Sequence, residues 1–137
     1  RHGSTRSPLW VGGGVTHGPT AERNYKRHLN SKMRRKALLS AFSEKIRQKQ
    51  VILLDSLKIN EAKTKELVQV FSHLPLERKS TLLVLPGLEG NIIRAARNIP
   101  YLSAVQAREL TALDVISCTY IVLPKESLAV LEKTFGK

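Results

Sequence analysis

Thr81-Leu82-Leu83-Val84-Leu85, closed by Pro86-Gly87, is the stretch that decides the fold. Its last four residues are aliphatic, with no polar residue between them, and a Pro-Gly turn follows at once. That is the pattern of a strand covered on both faces, and five residues are too few for a buried helix. Val51-Ile52-Leu53-Leu54, held between Gln50 and Asp55, repeats the pattern, and so does Tyr120-Ile121-Val122-Leu123 before Pro124. Leu102 to Val105 is a fourth, shorter candidate.

Helical spacing fills the intervals between these runs. Leu67, Val70, Phe71 and Leu74 lie three and four residues apart within 62–74, ended by Pro75, and Ile92, Ile93 and Ala96 do the same within about 89–98. A single helical turn is expected from Ala112 to Ser117. A last helix is expected from Lys125 to Phe135, with Leu128 and Leu131 on one face and Gly136 as its stop. Strands alternating with helices predict an α/β protein: a small Rossmann-like, mostly parallel sheet of about four strands flanked by helices.

Upstream of the first strand the character changes. Asn30 or Ser31 can cap a helix running to about Lys49, with Met33, Ala37, Leu38, Ala41, Phe42 and Ile46 as its apolar stripe. Lys32, Arg34, Arg35 and Lys36 crowd the start of that helix, where the dipole favours acids, so each is locally unfavourable by tenths of a kcal/mol. A choice that works against local stability is expected where function overrides it. Residues 1–29 read as an extended, irregular arm broken at Ser7-Pro8, Gly12-Gly13-Gly14 and Gly18-Pro19. The expected division is an arm over 1–29 and one α/β domain over 30–137.

Charge follows the same division. The chain of 137 residues carries a net +12, and residues 1–36 hold nine Lys and Arg against Glu22 alone, a net +8. Residues 51–137 hold eleven against nine, a net +2. A segment so charged and so poor in apolar residues cannot offset its ordering entropy by burial, and it needs a polyanion to become ordered. Trp10 and Tyr25 stand among Arg1, Arg6, Arg23, Lys26 and Arg27, and planar and guanidinium groups are what stack on unpaired bases and fork onto phosphates. His2, His17 and His28 can join them, and Gly12 to Gly14 let the backbone approach RNA where a Cβ would clash.

Four stretches carry a resemblance. Gly3-Ser4-Thr5-Arg6-Ser7-Pro8-Leu9-Trp10 with Gly12-Gly13-Gly14-Val15 resembles the second half of the long loop of the bacterial large-subunit ribosomal protein L-four family. Leu29-Asn30-Ser31-Lys32-Met33-Arg34-Arg35-Lys36-Ala37-Leu38 is similar to the start of that family's main helix. Ala95-Ala96-Arg97-Asn98-Ile99-Pro100 and Tyr120 to Glu126 match later stretches, so the similarity covers essentially the whole chain. Two departures stand out: His17 occupies a position that is often aromatic, and the turn at Thr20 to Arg23 is about one residue longer. Members of the family usually begin with a further strand, a helix and the first half of the loop. That fact, with Arg1 rather than Met in first place, makes a truncated or processed product the expectation.

The resemblance implies a structural, non-catalytic constituent of the large ribosomal subunit in the cytoplasm. It would bind large-subunit ribosomal RNA near the peptide exit tunnel, beside neighbouring large-subunit ribosomal proteins, with no membrane, no cofactor and no small-molecule substrate. The RNA contacts it marks, joined to the charge pattern, are Arg1, His2, Ser4, Thr5, Arg6, Ser7, Trp10, Gly12, Gly13, Gly14, His17, Arg23, Tyr25, Lys26 and Arg27 in the arm. In the helix they are Lys32, Arg34, Arg35 and Lys36.

Other classes are weaker on the residues. A nucleotide-binding α/β enzyme acting on RNA would want a glycine loop after a strand and a Lys-Ser/Thr pair, and Gly12 to Gly14 has neither. Asp55, Glu89 and Asp114 read as loop-forming or capping residues, and Cys118, the one cysteine, reads as core and excludes an internal disulfide. The histidines lack metal-ligand spacing. The basic amphipathic first helix fits a membrane surface in charge, but its apolar face is needed by the sheet. A generic DNA-binding protein remains open on charge alone, although no helix-turn-helix or zinc spacing occurs.

Overall fold

A computed structural model describes residues 3–59, 61–76 and 78–136. The elements follow the order α1 (Ser31–Arg47), β1 (Val51–Leu54), α2 (Thr64–Ser72), β2 (Thr81–Leu85), α3 (Gly90–Ala96), β3 (Leu102–Gln106), α4 (Ala112–Ser117), β4 (Tyr120–Pro124) and α5 (Lys125–Phe135). Among the described residues the four strands form one sheet in the order β1-β4-β2-β3, every pair parallel. The α/β expectation is met, and the parallel ladders follow from the helical crossovers between consecutive strands.

Helices cover both faces of the sheet. On one face Leu83, Leu85 and Val122 pack with Leu67 and Phe71 of α2 and with Ile92, Ala95 and Ala96 of α3. On the other, Leu82, Val84, Ile121 and Leu123 pack with Leu38 of α1, Val115 of α4, and Val130 and Leu131 of α5. All five residues of β2 are buried, as its sequence predicts. Cys118 is buried in the second cluster, and that burial pushes its thiol pKa up, which suits a core residue.

Two expectations about packing change. β1 is an edge strand, so only β4 pairs with it, and Leu53 is left 54% exposed instead of covered on both faces. The apolar stripe of α1 is also narrower than its sequence suggests: Leu38 is buried and Ala41 and Phe42 half-buried, but Met33 and Ile46 are 59% and 60% exposed and Ala37 is exposed. A helix of 17 residues is about 25 Å long, whereas strands of four or five residues span only about 15 Å. The two ends of α1 therefore overhang the sheet.

Local chemistry sets the boundaries. α1 stops at Arg47 rather than near Lys49 because Lys49 takes φ 56°, in the left-handed region. Its amide donates to the Ile46 carbonyl and that of Gln50 to the Lys45 carbonyl, both at 3.0 Å, which is a Schellman ending without the usual glycine. The Lys45 Nζ then donates to the Cys118 carbonyl at 2.6 Å and to Gln50 Oε1 at 3.0 Å, tying the end of α1 to the entry of β4. At α4, Thr111 and Asp114 form a reciprocal capping box, the role expected of Asp114. In α5 Ser127 is the fully buried residue, and of the two leucines expected on one face Leu131 packs against the sheet while Leu128 is exposed.

The β2–β4 pairing ends at Leu83 opposite Val122, and just beyond it Ser127 Oγ donates to the Val84 carbonyl at 2.7 Å. Ser127 is fully buried, so its loss strands that acceptor away from water. Ser127→Ala should cost about 1–3 kcal/mol in urea unfolding, with no change of fold by circular dichroism. A variant as stable as the parent would show that the bond contributes nothing.

Candidate nucleic-acid interface

The arm has no helix or strand among its described residues, but it is not simply extended. Residues 4–14 form a run of linked turns: Ser7 N donates to Ser4 O, Trp10 N to Ser7 O, Gly13 N to Trp10 O, and Gly14 N to Arg6 O at 2.8 Å. The glycines have internal work in this run. Gly12 takes φ 82°, and a Cβ on Gly13 would collide with the Ser7 carbonyl oxygen. The triple glycine thus shapes the turn; it does not loosen it.

This turn leaves its side chains outward. Ser4, Thr5, Arg6, Trp10 and His17 are exposed, and Ser7 is half-buried. Farther along, Arg23, Tyr25, Lys26, Arg27 and His28 are exposed as well, with Tyr25 at 72%. The Arg23 guanidinium lies 5.4 Å from the centre of the Tyr25 ring, a cation–π contact that keeps both planar groups together. Arg1 and His2 lie outside the described residues.

The helical cations continue the surface. Asn30 precedes α1 in extended conformation and makes no side-chain cap among the described residues, and the first turn holds no acid. Lys32, Arg34 and Lys36 are exposed and Arg35 is half-buried. Spacings of three and four residues put Lys32, Arg35 and Lys36 on one side, where they line a shallow groove with Ser40, Ser43 and Phe135. Arg34 and Arg35 line a second cleft, against Arg108 of the loop after β3. Arg108 was not legible as part of this surface. It stands 72 positions after Lys36 beside Glu109, in a locally neutral pair, and only the fold brings it here.

The C-terminal edge of the sheet, where α/β enzymes place catalytic groups, is built differently. Asp55 pairs with Lys125 at 2.5 Å, both side chains being largely exposed. Glu89 precedes α3 and is half-buried without a side-chain cap. Burial first, and the Glu126 carboxylate second, hold its pKa above the ordinary carboxylate range. Among the described residues no group of three or more His, Cys, Asp and Glu is placed to hold a metal ion, and no helix is long and apolar enough to cross a membrane.

Comparison with known proteins gives one family. Residues 1–134 match the model described as the ribosomal protein L4/L1 family. The chain is 39% identical to the large ribosomal subunit protein uL4 of Halothermothrix orenii over 137 residues, all of this chain and 65% of the relative. It is 36% identical to uL4 of Natranaerobius thermophilus over 98% of this chain and 64% of the relative. With uL4 of Thermodesulfovibrio yellowstonii it shares 43% over 84% of this chain and 54% of the relative. The chain therefore spans about 65% of the length of the curated relatives it matches.

Gly13→Ala should break the arm's turn, seen as loss of nuclear Overhauser contacts between Arg6 and Gly14, while the melting temperature stays that of the parent. Persistence of those contacts would show that the turn accommodates a Cβ. Because the pKa of Glu89 is raised on folding, its contribution is most favourable below the ordinary carboxylate range and is lost as pH rises through the raised value. Glu89→Gln should therefore be more stable than the parent at neutral pH, with the gap in urea midpoint closing as the pH falls. A gap that widens on acidification would contradict the assigned direction.

Proposed function

The chain belongs to the ribosomal protein L4/L1 family, and from that premise we propose that it is a structural, non-catalytic constituent of the large ribosomal subunit. In this reading residues 1–29 and the start of α1 bind large-subunit ribosomal RNA, near the peptide exit tunnel, and the α/β body is the mount. The observation that carries the proposal is the charge division: +8 over residues 1–36 against +2 over residues 51–137, with Arg6, Arg23, Lys26, Arg27, Lys32, Arg34 and Lys36 exposed. Glu22 alone opposes the nine cations within residues 1–36, so their neutralisation has to come from outside it.

The chemistry suits irregular RNA better than duplex DNA. Arg and Lys supply phosphate contacts and positioning, and Trp10, Tyr25 and the arm histidines offer planes and hydrogen bonds to splayed bases. A turn shaped by Gly12 and Gly13 is preformed, which lowers the ordering cost on binding. Partners in the subunit include neighbouring ribosomal proteins. An exposed apolar cleft bounded by Leu39, Ile46, Leu53 and Leu128 is the kind of surface that another polypeptide covers in an assembly.

With about eight phosphates neutralised, log affinity for RNA should fall against log salt with a slope of roughly −6 to −7. Deleting residues 1–29 should leave a folded body with sharply reduced affinity for structured ribosomal RNA fragments; unchanged affinity would refute the arm's role. Arg35→Ala and Lys36→Ala should each lower the salt slope by about one. Their melting temperatures should match the parent's, and equal affinity for duplex DNA of the same length would favour a generic nucleic-acid binder.

A further inference from the structure

A cleft of about 620 Å3 opens between the start of α1, the loop after β3 and the end of α5. Its depth is hydrocarbon, with Leu38 and Leu110 buried and Phe135 half-buried beside them. Arg34, Arg35 and Arg108 line it against one carboxylate, Glu109. Leu29, the last residue of the arm before the helix cap, lines it too, so the cleft continues the basic surface without a gap.

That combination specifies an occupant. The volume lies within the roughly 300–1,000 Å3 of small-molecule sites, which suits one nucleotide. An apolar floor receives a planar base, and guanidinium groups at the mouth either stack on it or fork onto the phosphates on either side. An apolar peptide would offer the exposed Arg34 and Arg108 only the one carboxylate of Glu109, and a duplex would not reach the floor. Resting on the RNA-binding reading above, we propose that this cleft takes one unstacked nucleotide of the bound ribosomal RNA, and that Arg108 is a phosphate contact supplied by the α/β body. The body is then more than a mount: it fixes the direction in which the RNA leaves the arm.

The test uses the full chain and large-subunit ribosomal RNA fragments carrying 4-thiouridine, irradiated and mapped by mass spectrometry, beside titrations of Arg108→Ala and Arg108→Lys. Crosslinks at Leu110, Phe135 or Met33 are expected. Arg108→Ala should lower the salt slope by about one, so that about fourfold less affinity is lost between about 50 and 200 mM salt. Arg108→Lys should restore most of that slope, since it keeps the charge. Arg108 is exposed, so the melting temperature should not move. Crosslinks confined to residues 3–30, with Arg108→Ala binding as the parent does, would overturn the cleft and leave the arm's role standing. An acidic peptide that displaces no RNA yet protects Leu110 and Phe135 would also overturn it. A parent chain that binds none of the fragments would overturn the RNA reading and the cleft together.

Discussion

The parallel pairing of β2 with β4 is the constraint on which the rest of the molecule depends. β2 and all of β4 but its first residue, Tyr120, are buried on both faces, so neither face of the sheet can be left to water. One helical layer is not enough, and the chain supplies α2 and α3 on one side and α1, α4 and α5 on the other. The pairing is also short, ending at Leu83 and Val122, which is why a buried serine hydroxyl takes up the carbonyl just past it. Lys45 does similar work at the opposite end, where its ammonium gathers carbonyls at the entry to β4.

The same constraint places the charge. α1 has to cross the sheet to seal its second face, but it is longer than the strands it covers, so its first turns project beyond them. Lys32, Arg34 and Lys36 there are exposed to solvent, where mutual repulsion is weakened by the high dielectric. A basic helix start is then tolerable at a cost of tenths of a kcal/mol per residue. The overhang also brings Arg34 and Arg35 beside the loop after β3, which turns a run of sequence into a surface made by two distant segments.

Order in the arm is unequally distributed. Residues 4–14 hold themselves in linked turns by backbone hydrogen bonds, with Gly12 and Gly13 at positions no other residue would occupy easily. From Val15 to Leu29 the described hydrogen bonds and ring contacts are few: the Arg23–Tyr25 pair, a weak bond from Arg23 N to Thr20 O, and the Lys26 amide on Asn24 Oδ1. A preformed turn followed by a freer basic segment suits a partner whose shape completes the second part. In the body, Asp114 is held in a helix cap and Asp55 lies against Lys125.

Much of this was legible from residue order alone. The apolar runs at 82–85 and 120–123 marked two-sided strands, the spacing between them marked helices, and together they determined a parallel α/β layer; the charge count located the net +8 in residues 1–36. What residue order does not carry is which side of a run meets the core. Val51 to Leu54 reads like a central strand, and only its place at the sheet's edge leaves Leu53 to solvent. The stripe on α1 extends over six residues in the sequence, yet Leu38 alone is buried, because burial depends on where the sheet stops. Gly12 to Gly14 were visible as glycines, but their purpose required the Ser7 carbonyl across the turn. Arg108 comes to line the same cleft as Arg34 and Arg35 through the tertiary fold alone, since proximity in a folded chain is set by the packing of whole elements, and no local pattern records it.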